Sequence, residues 1–551
     1  MSGLLNKIGS RSGKIWAGQA RAASTGGGGA APTWDTIADG AISDGAKCIL
    51  REDGKVSGLP SEDASALYGE GSTGDEVHDN GNKAITAYDT TTNKIICMYN
   101  TTTSGGNWNK AALRHGTVDG ATKTITWSNE VILSVGQNQG HAMCVDSHSG
   151  IISCFFRDTG NSFYCSARLA KVVALPHAFD TSSIITIESA VGAPYAAEYD
   201  EQNQRVILVW NGSSYNTYAQ AFSQSSMGSS LYWTPQGSKI NLNISSLGAY
   251  ASAWKPGSGG GMLFAGKWGN YSMITPIYLP NQSSNVVHGT DKFLDIGNSS
   301  GTSTSYDEHI HAVYDPDTGN FLVTRKRGAG MPNIYPHADA RDTVSTVVEV
   351  GGSSFNSFSV KATVKVADAL PDPGSGTGYN FGNYGGNLGY HEGENKYICA
   401  WYSEGDTDNG WVKIGHIVSG QIVWSTGAYK FSSTANMAMF GPSAVWDPDE
   451  GELILFYNNY STNHIEATFI DPSVALTNLT ASNFIGIADG AYADGTTAKI
   501  QMRGHIDDAQ SGLTIGTEYF VRSDGTLATT ADAIGSIPAG KALSSTKILI
   551  K

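Results

Sequence analysis

Short apolar runs bounded by Gly, Asn, Asp, Ser and Thr recur along most of the chain. His311–Lys326 shows the pattern in full. Ala312 and Val313 lead into Tyr314 and Asp315, Pro316 presets φ for a turn, and Gly319 supplies a residue that tolerates positive φ. Phe321, Leu322 and Val323 then form the contiguous apolar run expected of a strand buried in a sheet core. The same strand–turn–strand unit is written at Ala84–Tyr99, His141–Phe156, Tyr195–Trp210, Tyr250–Ala265, Leu388–Tyr402 and Ser443–Tyr457. The residue before the turn is Asp89, Asp146, Asp200, Lys255, Asp315, His391 and Asp447 in turn, a mean spacing close to 60 residues.

Seven units of several strands each, with no run of apolar residues at helical spacing, predict an all-β fold: a seven-bladed β-propeller over residues 79–471. A small sheet cannot bury both faces alone, and stacking sheets radially buries them. The strand before each turn carries small residues (Ala84, Ala196, Ala251, Ala253), as sheets converging on an axis require. The pre-turn acid suits an Asx-type cap on the turn's N–H groups, a structural task. Lys255 and His391 show that the acid is not obligatory.

Small β modules flank the propeller. Ile37-Ala-Asp-Gly-Ala-Ile-Ser-Asp-Gly45 returns as Ile487-Ala-Asp-Gly-Ala-Tyr-Ala-Asp-Gly495, 450 residues later with seven of nine positions identical. Each copy runs on into a Lys and a short strand, Lys47–Leu50 and Lys499–Met502. Residues 31–78 and 472–551 are read as an N-terminal module and a linker with a C-terminal module. Residues 1–30 are read as a basic arm (Lys7, Arg11, Lys14, Arg21) followed by the flexible Gly26–Gly29 linker. The arm's charges interleave with its apolar residues, unlike a secretory signal, and suit docking onto a partner.

Composition narrows the function. A formal charge of −15 argues against phosphate-directed nucleic-acid binding, and no stretch approaches the 18 apolar residues of a membrane span. The six cysteines have no CxxC or metal-ligand spacing and read as buried thiols made in a reducing cytoplasm. Charge is sparse, at 15% of residues, so the informative surface chemistry is aromatic. Tyr215 and Tyr218, Trp268 and Tyr271, and Tyr379, Phe381 and Tyr384 sit on Gly/Asn/Ser-rich connections and are the expected ligand-binding residues. Such rings offer stacking faces with polar fringes, suited to a glycan or a protein surface. His309 and His311 share a strand face without a third ligand, so no metal is assigned. No catalytic residue, P-loop, GxSxG, HExxH or sialidase box is present, and no cofactor is implied.

The C-terminal module resembles one found at the ends of tail-fibre and related virion proteins of tailed bacteriophages. The residues carrying it are Ile487–Ala498, Asp507–Thr514, Tyr519–Leu527 and Ala542–Lys551. The resemblance implies a virion appendage, often a homotrimer, that takes part in host adsorption. It implies attachment to other virion proteins through the basic arm and contact with a host cell-surface glycan or protein through the loops. Two other roles fit: a structural tail or neck component, and a tailspike-like glycan hydrolase.

Overall fold

The computed structural model describes residues 33–38, 41–50, 54–59, 81–101, 109–173, 179–212, 216–227, 230–245, 250–257, 259–268, 271–294, 310–326, 343–351, 355–367, 383–403, 409–418, 420–424, 429–431, 437–459, 464–470, 484–493, 495–522, 525–530 and 537–551. Among them the chain is all-β, with antiparallel sheets, one single 3-10 turn at Thr159–Asn161 and no α-helix. Among the described residues no helix is long and apolar enough to cross a membrane. The chain forms two compact units, Ala64–Ser473 and the combination of Met1–Asp63 with Val474–Lys551.

The larger unit holds seven consecutive sheets, each a meander. Their first two strands are Gly81–Asp89 with Lys94–Thr101, Asn138–Val145 with Ile151–Asp158, and Pro194–Asp200 with Arg205–Asn211. They continue with Tyr250–Lys255 and Gly261–Trp268, Ile310–Asp315 and Asn320–Lys326, Asn383–His391 and Lys396–Ser403, and Met437–Asp447 and Glu452–Asn459. These are the seven hairpins read from the sequence. Second strands are buried on both faces, as in Ile95–Tyr99, Val206–Trp210 and Phe321–Val323. That double burial is why they read as unbroken apolar runs rather than alternating ones.

Apolar cores lie between successive sheets. One joins Phe156 of the second sheet to Met98 of the first, another Trp210 of the third to Phe155 of the second, and a third Phe264 of the fourth to Ile207 of the third. Fourth and fifth meet through Leu263 and Phe321, fifth and sixth through Leu322 and Tyr397. Phe431 of the sixth packs on Tyr457 of the seventh with ring centroids 5.3 Å apart. The seventh sheet's Phe456 and Phe469 share a core with Ile95 and Tyr99 of the first. The first strands follow the same order, each against the next and the seventh's against the first's.

The two flanking segments, read from the sequence as separate modules, share one sheet. Its order is Thr33–Ile37, Thr497–Gln501, Phe484–Ala488, Lys47–Leu50, Val56–Gly58. The two copies of the repeated phrase meet about an approximate two-fold axis. Ile42 and Tyr492, equivalent positions in the repeat, exchange N–H···O bonds of 2.9 and 2.8 Å. Ala38 N–H donates to Thr496 O, and the matching bond runs from Ala488 N–H to Ala46 O, both at 2.8 Å. Gly495 N–H donates to Ala38 O, and Gly45 N–H to Ala488 O. The reason for sharing is that one copy contributes too few strands to cover an apolar face, and the other copy's strands fill its open edges. A second sheet, containing Glu518–Val521, Pro538–Ala542 and Ile548–Ile550, packs its Tyr519, Val521 and Ile548 with Ile49 and Leu59.

All six cysteines are buried and unpaired. Burial pushes the Cys48 thiol up to about 12, which keeps it protonated and unreactive.

Candidate functional site

The repeated pre-turn acids have the geometry of turn caps. Asp89 accepts from Thr91 N–H (2.9 Å) and from the Thr91 and Thr92 hydroxyls (2.7 and 2.6 Å). Asp146 accepts from His148 and Ser149 N–H (2.8 and 3.2 Å), Asp200 from Asn203 N–H (3.0 Å), and Asp447 from Asp449 N–H (3.0 Å). Asp315 does the same with Asp317 and Thr318 N–H (2.9 and 3.2 Å). At the exceptional positions His391 Nδ1 accepts from Glu394 N–H (3.2 Å), and Lys255 caps nothing. Each of these carboxylates caps its own turn, as a structural residue does.

A further regularity joins neighbouring sheets. In five copies the aromatic just ahead of the pre-turn residue (Tyr88, Tyr199, Tyr314, Tyr390 and Trp446) reaches the turn of the preceding sheet. Tyr199 lies beside Asp146 and Tyr88 beside Asp447, and burial first, then the neighbouring carboxylate, holds both phenols protonated. Tyr390 donates to Asp317 Oδ2 at 2.6 Å. Where the acid is replaced the partner adapts: Lys255 Nζ donates to the Tyr314 phenol oxygen at 3.2 Å, and His391 packs on Trp446 with centroids 4.3 Å apart.

Two titratable groups, one half-buried and one buried, break the apolar pattern. Glu198 occupies the position two before the turn, where the other copies carry Ala87, Cys144, Ala253, Val313, Gly389 and Val445. The Ser252 hydroxyl of the fourth sheet donates to it at 2.6 Å, and burial pushes its pKa up to about 7. His416, on Asn409–Val418 of the sixth sheet, is 4% exposed with neither ring nitrogen hydrogen-bonded. Burial, then the Lys396 charge, lowers its pKa to about 4.

The folded state therefore keeps His416 neutral while the unfolded chain binds a proton near pH 6.5, so its contribution is full above that pH and lost as pH falls toward 4. We expect wild type to lose about 3 kcal/mol relative to His416→Leu between pH 7 and pH 4. Urea unfolding of the two proteins across that interval measures it, and parallel pH profiles would refute it.

The expected ligand-binding aromatics divide as follows. Tyr215, Tyr379 and Phe381 lie outside the described residues, as does His309. Trp268 and Tyr271 are Cα partners at the end of a hairpin of the fourth sheet, and Tyr384 pairs with Tyr402 in the sixth. Tyr218 pairs with Trp210 inside the third sheet, half-buried, with the Lys239 ammonium 4.4 Å from its ring centroid. Its ring is thus partly covered by packing. The alternation of Asn216–Met227, which turns Tyr218 toward a neighbour, does not show in a loop-like composition. His311 is half-buried on its strand, and among the described residues no three His, Cys, Asp or Glu gather as metal ligands.

The sequence reading passed over Phe163, which is 40% exposed just after the 3-10 turn. The Asp158-Thr-Gly-Asn turn signature ahead of it was the available signal. In the terminal unit a cleft of about 690 Å³ opens beside Ser43–Lys47 and Ala509–Leu513. Its polar groups are engaged with one another: Lys47 Nζ donates to Gln510 Oε1 (2.9 Å), and Gln510 Nε2 to Gly45 O (3.0 Å) and Asp507 Oδ2 (2.6 Å). The cleft is a seam between the interlocked segments.

No protein-family model matches the chain, and no curated protein matches it. Among solved structures, the crystal structure of AofleA from Arthrobotrys oligospora is similar at a TM-score of 0.37 and 8% identity, over 68% of this chain and 94% of that one. A likeness at that level assigns neither fold nor function.

Proposed function

We propose that the seven sheets are the blades of a seven-bladed β-propeller, and that the chain is a bacteriophage virion appendage binding the host surface through propeller loops. The observation that carries the ring reading is the neighbour order of the first strands, in which the seventh lies against the first. Sheets arranged this way bury both faces and leave no terminal sheet uncovered. The Tyr88–Asp447 contact, which repeats the Tyr199–Asp146 contact across that last step, supports it.

The functional part of the proposal rests on the resemblance of the C-terminal residues to tail-fibre termini and on the division of labour in the repeat. The turns are consumed by structural caps, and sequence variation is concentrated in the connections, where recognition is built at low cost to the scaffold. In this reading the basic arm joins the chain to other virion proteins, the protein acts as a homo-oligomer, and it binds its receptor without a catalytic step.

Purified protein is expected to bind cells of the host bacterium, and added surface polysaccharide or shaved surface protein to abolish the binding. No binding at high protein concentration would leave the structural tail or neck role, and release of reducing ends would establish the hydrolase. Deletion of residues 1–29 is expected to leave cell binding intact and to abolish virion incorporation.

A further inference from the structure

On the second sheet, two loops are locked together by one carboxylate. Asp158 is fully buried and accepts from Val135 N–H (2.9 Å), Gly136 N–H (2.8 Å) and Gly160 N–H (2.8 Å). The loops approach so closely that a Cβ on Gly136 would lie 2.2 Å from Gly160 N. This clamp presents Phe163, whose φ is +62° and follows Ser162 at +57°. A bulky residue is disfavoured there, and glycine or asparagine would relieve the strain. The chain keeps an exposed ring at a position where backbone conformation argues against one, which points to a use for the ring.

Arg157 supplies the second observation. Its guanidinium lies 5.2 Å from the Phe163 centroid. Among the described residues it makes no hydrogen bond or ion pair, and its buried Nε has no partner. Glu188, which pairs with Cys165 on the side opposite Arg157, is already taken by Lys239. Val135, whose N–H is held by Asp158, and Val191, the Cα partner of Tyr164, are 62% and 57% exposed. The arrangement is therefore a preset, partly exposed ring with a planar cation over one face, the cation having no hydrogen-bond acceptor among the described residues.

We propose that Phe163 and Arg157 form a binding site for a carboxylated pyranose, a uronic acid unit of an acidic polysaccharide. The apolar C–H face of the sugar stacks on the ring, and the carboxylate meets the guanidinium fork, whose donor geometry matches two coplanar oxygens. This deepens the receptor-binding reading and rests on it for its biological source, but its chemistry is tested separately.

The probe is D-glucuronate, titrated into the full chain by saturation-transfer NMR, with glucose as the ring without the charge and acetate as the charge without the ring. We expect glucuronate to bind at least tenfold tighter than either. Arg157→Gln brings its affinity down to that of glucose. Phe163→Gly loses binding while the melting temperature stays level or rises, a combination that a packing role for the ring does not produce. Glucuronate binding no tighter than glucose, or unchanged in Arg157→Gln, overturns the site. Glucuronate binding by a protein that does not bind host cells upholds the site and removes the receptor reading.

Discussion

A chain lacking residues 1–63 is expected to have an unfolded terminal unit, while the seven-sheet unit keeps its amide protection. The deletion removes Ile42, Ile49, Val56 and Leu59, all at least nine-tenths buried, and the strands that flank Thr497–Gln501 and Phe484–Ala488. At about 2 kcal/mol for each of these side chains the loss is near 8 kcal/mol before the exposed partner surface is counted. A unit this size nets only about 5–10 kcal/mol, so what remains cannot hold its fold. Deletion of residues 1–29 spares every one of these contacts and leaves the unit intact. Hydrogen exchange at Ile485–Ile500 distinguishes the two chains. Protection there after removal of residues 1–63 would show that the C-terminal segment folds alone and that the shared sheet is incidental.

Asp315→Ala is expected to destabilise the seven-sheet unit by about 3 kcal/mol. The carboxylate is 2% exposed and serves four donors: Asp317 and Thr318 N–H, the Thr318 hydroxyl at 2.5 Å, and the Tyr397 hydroxyl of the sixth sheet, also at 2.5 Å. Buried donors left without an acceptor cost about 1–3 kcal/mol each, less what water entering the truncated site recovers. Tyr397→Phe removes a donor and its hydroxyl together and costs about 1 kcal/mol. Burial and the Asp315 charge hold the Tyr397 phenol protonated, so it donates throughout the ordinary pH range. A double-mutant cycle in urea gives the coupling between the two sheets. A loss under 1 kcal/mol for Asp315→Ala would mean that the repeated acids do not serve as caps and would reopen a chemical role for them.

Several features were legible from one dimension because they are local. A polar residue entering a turn, a Gly, Asn or Gln at positive φ leaving it and an apolar run after it define a hairpin within sixteen residues, and the chain writes the strand–turn–strand unit seven times. The capping role of Asp315 was readable for the same reason, since donor and acceptor are two and three residues apart. Lys255 and His391, departures by sequence, make sense only in space, where Tyr314 and Trp446 of the following sheets meet them.

Candidate binding residues are harder to read, because exposure is a property of packing. Tyr218 has the composition of a loop aromatic around it and lies against Trp210 and Lys239. Phe163 has the composition of a strand end and stands exposed, because Asp158 ties down the loop on either side of it.

The sequence by itself determined the period, the strands, the turn chemistry and the kinship of the two flanking phrases, all set by neighbours in the chain. Only the tertiary structure decided that Ile42 meets Tyr492 across 450 residues and that the seventh sheet lies against the first. Side chains fix the faces and edges a strand must cover. Which distant strand covers them depends on what the rest of the chain leaves open.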